Sequence, residues 1–213
     1  MVSRTVIADD HPLFRSALAH AVGRVWPAAT IIEASSAAEA RAALANGGAE
    51  TLLLDLHMAD SSGLSVLMDL RQDYPALPIV IVSASEDARV AAAAAQLGAA
   101  GFIPKSASLD AMREGLAAVR DGDVWFPQDG AAGADDDLAR IASLTPAQRR
   151  ILSGIRQGLL NKQIAYELAI SEATVKAHIT AILRKLGVGS RTQAVLLAAK
   201  LDVDQPVADP ARA

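Results

Sequence analysis

Five short runs rich in Val, Ile and Leu recur along the first half of the chain, at Thr5 to Ala8, Thr30 to Glu33, Thr51 to Leu54, Ile79 to Val82 and Gly101 to Ile103. One helical pattern separates each run from the next. Strands that are apolar along their whole length must be covered on both faces, and right-handed crossovers through single helices provide that cover. The alternation therefore predicts a doubly wound, five-stranded parallel α/β sheet. Phe14, Ala17, Leu18, Ala21 and Val22 recur at helical spacing, as do Leu109, Met112, Leu116 and Val119 before Gly122. Pro104 lacks an N–H and suits a strand end or a sheet edge, so the fifth strand is expected at an edge. For strand order 2-1-3-4-5, the ligand crevice lies beyond the carboxyl ends of strands one and three.

Polar residues fall at that edge. The first strand ends in Asp9-Asp10, the third in Asp55, the fourth in Ser83 and the fifth in Lys105. Taken singly, Asp10 and Ser83 can cap helices, and Lys105 can be solvated. Taken together, three carboxylates at one sheet edge repel one another and require a cation. A hard, oxygen-liganded ion such as Mg²⁺ fits, because it accepts a few carboxylates, keeps waters and takes a phosphoryl oxygen as a further ligand. The expectation is a metal-assisted phosphoryl site.

Charge divides the chain. Residues 1–122 carry 9 basic and 14 acidic side chains, residues 123–142 carry 1 and 5, residues 143–201 carry 9 and 2, and residues 202–213 carry 1 and 3. A basic module beside an acidic one implies that the second half meets a polyanion, although a basic solvated face has the same composition. There is no cysteine, so disulfides and thiol chemistry are excluded. The four histidines, His11, His20, His57 and His178, lack metal-ligand spacing and are read as surface or packing residues. No apolar run approaches the ~18 residues of a membrane span, and a cytoplasmic protein without a membrane partner is expected. Residues 123–142, with Pro127, Gly130, Gly133 and Asp135-Asp136-Asp137, read as an acidic flexible linker, and residues 202–213 as a tail.

The second half opens with Thr145 as an N-cap, Pro146 at the first helical position and Gln148 placed to close a capping box. That helix runs to Gly158, Asn161 can cap a short second helix, and Ser171 can cap a third. On the third, Val175, Ile179, Ile182 and Leu186 share one face, while Ala173, Lys176, Ala177, Thr180 and Arg184 project from the other. A short helix, a tight turn and a longer helix with a small, basic face is helix-turn-helix geometry, whose second helix enters the DNA major groove. Lys176, with Ala177 and Thr180, is placed to meet base edges; Asn161, Lys162, Thr174, Arg184 and Arg191 are placed to hold phosphates. The final helix, with Ala194, Val195, Leu197 and Ala198, serves either a dimer contact or packing within the domain.

Asp9-Asp10, Asp55 in Asp-Leu-His-Met-Ala-Asp-Ser-Ser-Gly, Ser83-Ala84 and Gly-Phe-Ile-Pro-Lys ending at Lys105 together resemble a receiver domain over residues 3 to 122. The resemblance implies that Asp55 accepts a phosphoryl group from a sensor histidine kinase. It also implies that Asp10, Asp55 and the backbone carbonyl of His57 hold Mg²⁺, with Asp9 assisting through water. Lys105 and Ser83 would contact phosphoryl oxygens, and Phe102 would turn inward as Ser83 moves. Ala59 departs from the proline usual in the family, which implies a more mobile loop and a changed rate of phosphate loss. His57 and Ser85 occupy positions that tune that rate in relatives.

Leu144 to Ala199 resemble the LuxR-type helix-turn-helix, in Gly-Leu-Leu-Asn-Lys-Gln-Ile-Ala and Ile-Ser-Glu-Ala-Thr-Val-Lys-Ala-His-Ile among other runs. Ala169 stands where many relatives have Gly; if left-handed, it costs about 1 kcal/mol. The two resemblances imply a response regulator of the NarL/FixJ class: a receiver at 1–122, a linker at 123–142 and a four-helix DNA-binding domain at 143–201. Such a protein is a phosphorylation-controlled transcription factor rather than a turnover enzyme. Its expected partners are a two-fold related double-stranded DNA site, a sensor kinase, a second copy of the chain and RNA polymerase. Two alternatives stand beside this: a transcription factor independent of phosphorylation, and an aspartyl-phosphate phosphatase. The second fits less well, because such enzymes carry Asp-x-Asp at the first strand, where this chain has Asp9-Asp10-His11.

Overall fold

The computed structural model describes residues 4–60, 63–127 and 136–201. The chain divides into two compact units, Met1–Ala134 and Asp135–Ala213. In the first, β1 (Arg4–Ala8), α1 (Pro12–Val25), β2 (Thr30–Ala34), α2 (Ala37–Ala45) and β3 (Thr51–Asp55) follow in alternation. They continue with α3 (Leu64–Asp73), β4 (Ile79–Ser83), α4 (Ala88–Gln96), β5 (Gly101–Pro104) and α5 (Leu109–Arg120). All strands are parallel, in the order β2-β1-β3-β4-β5.

The burial explains the alternation. β3 and β4, in the centre, are buried at every position, whereas the edge strand β2 is mostly half-buried or exposed. Ile7, Leu53, Val80, Val82 and Ile103 face α1 and α5, where they meet Leu18, Val22, Met112 and Leu116 in one core. Alternate strand residues point to the opposite face, so Leu52, Leu54, Ile81 and Phe102 belong to the layer covered by the other helices. Each fully buried Leu or Ile contributes about 1.5–3 kcal/mol of transfer free energy.

The acidic stretch after α5 departs from the flexible linker expected of it. The peptide N–H of Phe102 donates to the Trp125 carbonyl (2.9 Å), and Trp125 N–H donates to the Ala100 carbonyl (3.1 Å), so Trp125 pairs with the β5 edge at Gly101. Its ring lies over Gly115, where an added Cβ would come within 2.9 Å of it. At its other end the stretch forms a helix, α6 (Asp136–Ala142), which buries Leu138 and Ile141. Turn formers dominate the composition, but Asp136 and Asp137 suit a helix's first turn, and Leu138 and Ile141 are three residues apart on one face. Gly130, Gly133 and Asp135, like the tail at 202–213, lie outside the described residues.

The second unit continues with α7 (Pro146–Arg156), α8 (Asn161–Glu167), α9 (Glu172–Leu186) and α10 (Arg191–Ala198). Thr145 and Gln148 form the expected reciprocal cap on α7, with bonds of 3.3 and 3.0 Å. Lys185 on α9 donates to the Ser143 carbonyl and to Gln148 Oε1 (2.8 and 3.0 Å), joining α9 to that cap. Asn161 is not the cap of α8: it is the first helical residue, after Leu160, and its Oδ1 accepts from Arg191. Ala169, between α8 and α9, is the one positive-φ residue other than glycine among the described residues, at +52°.

Candidate functional site

The register of the sheet builds the acidic site. Ala8 lies opposite Leu54, so the next residues, Asp9 and Asp55, leave the sheet side by side; Asp55 in turn lies opposite Val82, and Ser83 opposite Pro104. Asp9, Asp55 and Ser83 are each fully buried. Lys105 follows β5 and reaches back: its Nζ is 2.8 Å from Asp55 Oδ2 and 2.8 Å from Asp9 Oδ2. The ammonium also lies 4.8 Å from the centre of the Phe14 ring, which supports it from α1. Burial pulls the Lys105 pKa down, but the hydrogen bonds and charges of Asp55 and Asp9 outweigh it and hold the group above the ordinary lysine value.

The remaining oxygens face one another. Backbone N–H groups donate to Asp9 Oδ1 from His11 (2.7 Å) and to Asp55 Oδ1 from His57 (3.0 Å), which curls each loop back on its own carboxylate. Ligand atoms of Asp9, Asp10, His11 and Asp55 all lie within 4.8 Å of one another. Among the described residues Asp10 Oδ1 is buried with the His11 ring nitrogen Nδ1 2.7 Å away, and Asp9 Oδ2 is buried with the Lys105 ammonium 2.8 Å away. Buried carboxylate oxygens at this spacing fit a hard cation. A helix-capping account does not suffice: the cap of α1 falls on His11 and that of α4 on Asp87, so neither Asp10 nor Ser83 serves.

Ser83 Oγ accepts from the Ser85 N–H at 3.1 Å, and the Phe102 side chain is 1% exposed, packed inward. Beside these groups opens a cavity of about 440 Å³ lined by His11, Leu13, Phe14, His57, Ala84 and Lys105. Three residues shape the site beyond the expected set: His11, which the sequence reads as a surface or packing residue, and Arg15 and Asp60, which it does not single out. His11 stands against the carboxylates rather than apart from them; its place right after Asp9-Asp10 was the available signal. Arg15 donates to the Asp9 carbonyl (2.6 Å) and to Glu33 Oε2 (2.8 Å), fixing the end of β1 to β2. Asp60 accepts from Ala37 and Ala38 N–H at the start of α2.

In the second unit, Lys176, Ala177, Thr180 and Arg184 are all exposed on α9, opposite buried Val175, Ile182 and Leu186. Lys176 pairs with Glu172 one turn back (3.2 Å), and Thr180 Oγ1 donates to the Lys176 carbonyl. The Ser171 hydroxyl caps the helix through Thr174 N–H (3.0 Å) and also meets the Thr174 hydroxyl. Lys162 is exposed, but Arg191 is held inside the unit by Asn161 Oδ1 and the Leu159 carbonyl.

Residues 5–117 match the response regulator receiver domain, and residues 142–198 match the bacterial regulatory proteins of the luxR family. The chain is 38% identical to the glycerol metabolism activator of Pseudomonas putida, over 93% of this chain and 96% of that one. It is 33% identical to the nitrate/nitrite response regulator protein NarP of Escherichia coli, over 91% and 93% of the two chains. Its fold is similar to that of RcsB from Salmonella enterica serovar Typhimurium bound to a promoter, with a TM-score of 0.56, 21% identity, and 93% and 99% of the chains covered.

Proposed function

The chain belongs to the response regulators that join a receiver domain to a LuxR-type DNA-binding domain, and from that premise we propose that phosphoryl transfer to Asp55 controls its binding to DNA. DNA-binding transcriptional regulation is the activity of this family. The observation that most supports Asp55 as acceptor is the Lys105 bridge, a buried ammonium 2.8 Å from both Asp55 and Asp9 at the carboxyl ends of β1 and β3.

An Asp55 carboxylate oxygen would attack the phosphorus of a sensor kinase's phosphohistidine, the P–O bond forming as the P–N bond breaks and the imidazole nitrogen keeps the electron pair. Asp9, Asp10, Asp55 and the His57 carbonyl would hold Mg²⁺, whose charge offsets that of the phosphoryl oxygens. Lys105 would follow one phosphoryl oxygen, and the Ser83 hydroxyl would donate to another. Phe102, already inward, would keep the space behind Ser83 filled. Asp55 and Ser83 end their strands, and Asp9, Asp10, His57 and Lys105 follow a strand end within two residues, so the constellation needs little reorganisation.

Lys176, Ala177 and Thr180 of α9 would face base edges, while Thr174 and Arg184 of α9 and Lys162 and Asn161 of α8 would hold phosphates. Arg191, engaged with Asn161 and Leu159, would act by fixing Asn161 in place. Two copies would bind a two-fold related site, because a helix-turn-helix dimer matches half-sites to its own axis, and RNA polymerase would be recruited or blocked there. Among the described residues no helix is long and apolar enough to cross a membrane; a chromosomal target would place the protein in the cytoplasm.

The test is intact mass after incubation with acetyl phosphate and Mg²⁺. Wild type should gain one phosphoryl group and Asp55→Asn none; equal gain by both would overturn the assignment.

A further inference from the structure

We infer, on the reading of the acidic cluster as a Mg²⁺-assisted acceptor site, that Arg15 is a positioning residue for it: its guanidinium holds the peptide between Asp9 and Asp10 and so aims the Asp10 carboxylate at the ion.

Long side chains on a helix lean toward its N-terminus, and Arg15, the fourth residue of α1, leans back over the β1–α1 loop. There its Nη1 donates to the Asp9 carbonyl at 2.6 Å and its Nε to Glu33 Oε2 at 2.8 Å. The Asp9 carbonyl oxygen and the Asp10 Cα share one planar peptide, so holding that oxygen fixes the ψ torsion of Asp9. This is the torsion that swings Asp10 relative to Asp9. Two further bonds hold Asp9 itself, its N–H donating to the Ala34 carbonyl (3.1 Å) and its Oδ1 accepting from His11 N–H (2.7 Å). The Arg15 bond carries that order one residue further. Asp10 has most use for it, because its side chain is 30% exposed whereas those of Asp9 and Asp55 have no exposure, so packing constrains it least of the three.

Neither the helix nor the sheet accounts for the contact. The start of α1 presents N–H groups, which a guanidinium cannot satisfy, and a cation in a first turn faces the positive end of the helix dipole. β1 and β2 are already paired at five positions, from Arg4 opposite Thr30 to Ala8 opposite Ala34. Glu33 is exposed, and ion pairs in such a setting add little to stability. What Glu33 does accomplish is to take Nε and leave Nη1 of the rigid guanidinium fork directed at the Asp9 carbonyl. By charge alone Arg15 opposes a second cation nearby, so its removal would tighten Mg²⁺ binding. Loss of positioning would weaken it, and the two effects differ in sign.

The test is calorimetric titration of Mg²⁺, and separately of Ca²⁺, into the full chain for wild type, Arg15→Gln and Arg15→Lys, with melting temperatures in chelator as a check on folding. Arg15→Gln should weaken the Mg²⁺ Kd about tenfold, as the loss of an outer-shell partner does. Arg15→Lys, which keeps the charge but has no fork to span Asp9 and Glu33, should weaken it as well. Ca²⁺ accepts looser geometry than the near-octahedral one that Mg²⁺ demands, so its Kd should change little. Unchanged or tighter Mg²⁺ binding in Arg15→Gln would overturn the inference. So would equal losses for the two ions, which assign the effect to general loosening of the unit. Wild type that takes up neither ion would overturn the reading of the site itself, and this inference with it.

Discussion

Lys105 Nζ sits 2.8 Å from Asp55 Oδ2, an ion pair in which the carboxylate side chain has no exposure and the lysine 15%. The same ammonium contacts Asp9, so one cation balances two buried anions across 50 residues of sequence from Asp55. Removing it leaves both uncompensated. Lys105→Met should therefore cost about 3 kcal/mol of stability in chelator. Mg²⁺ should recover more of that loss than it adds to wild type, because it replaces the missing charge. Urea denaturation with and without Mg²⁺ checks both; equal Mg²⁺ stabilisation of the two proteins would contradict the shared role of cation and lysine.

Two carboxylates at helix starts stand below their ordinary range. At Asp60 partial burial opposes ionisation, but the Ala37 and Ala38 N–H bonds outweigh it; at Asp87 the Arg89 guanidinium is the main cause, followed by a smaller opposing effect of burial. A lowered folded pKa contributes stability that is present above the unfolded value and is lost as pH falls through the folded one. Stability should thus decline below about pH 4. The double variant Asp60→Asn/Asp87→Asn should be less stable at neutral pH and show a shallower acid slope, measured by melting temperature from pH 7 to 3.

Ala169 carries a φ of +52° in the turn between α8 and α9, where Ile170 N–H closes onto the Ala165 carbonyl. Its Cβ is strained there, whereas glycine would adopt this conformation freely. Ala169→Gly should stabilise the DNA-binding unit by about 0.5–1 kcal/mol, offset in part by the greater freedom of glycine when unfolded. A higher urea midpoint for the helix-turn-helix unit is the expected result.

Trp125 lies against Gly115, where a methyl group would approach the indole to 2.9 Å. Overpacking of this kind costs about 1–3 kcal/mol, and helix propensity returns about 1 kcal/mol for Gly→Ala, so Gly115→Ala should be a net loss of about 1 kcal/mol. It should also shift tryptophan emission to longer wavelength as the ring is pushed toward water. Unchanged emission and stability would show that the indole seat is not as tight as its geometry indicates.

The alternation of apolar strands and amphipathic helices determined the parallel sheet, and the strand ends determined which of Asp9, Asp10, Asp55, Ser83 and Lys105 reach its carboxyl edge. Those are local properties: a period of two or of 3.6, and the residue at which a run stops. The cap at Thr145 and Gln148 and the exposed face of α9 were legible for the same reason. Only the tertiary structure decided that Asp60 would close on α2, that Trp125 would extend the β5 edge, that Arg191 would be occupied by Asn161, and that His11 would stand among the carboxylates. Each of these depends on where a loop of ambiguous composition comes to rest against a surface made elsewhere in the chain. No periodicity encodes that position, because long-range packing and hydrogen-bond satisfaction choose it after the elements have formed.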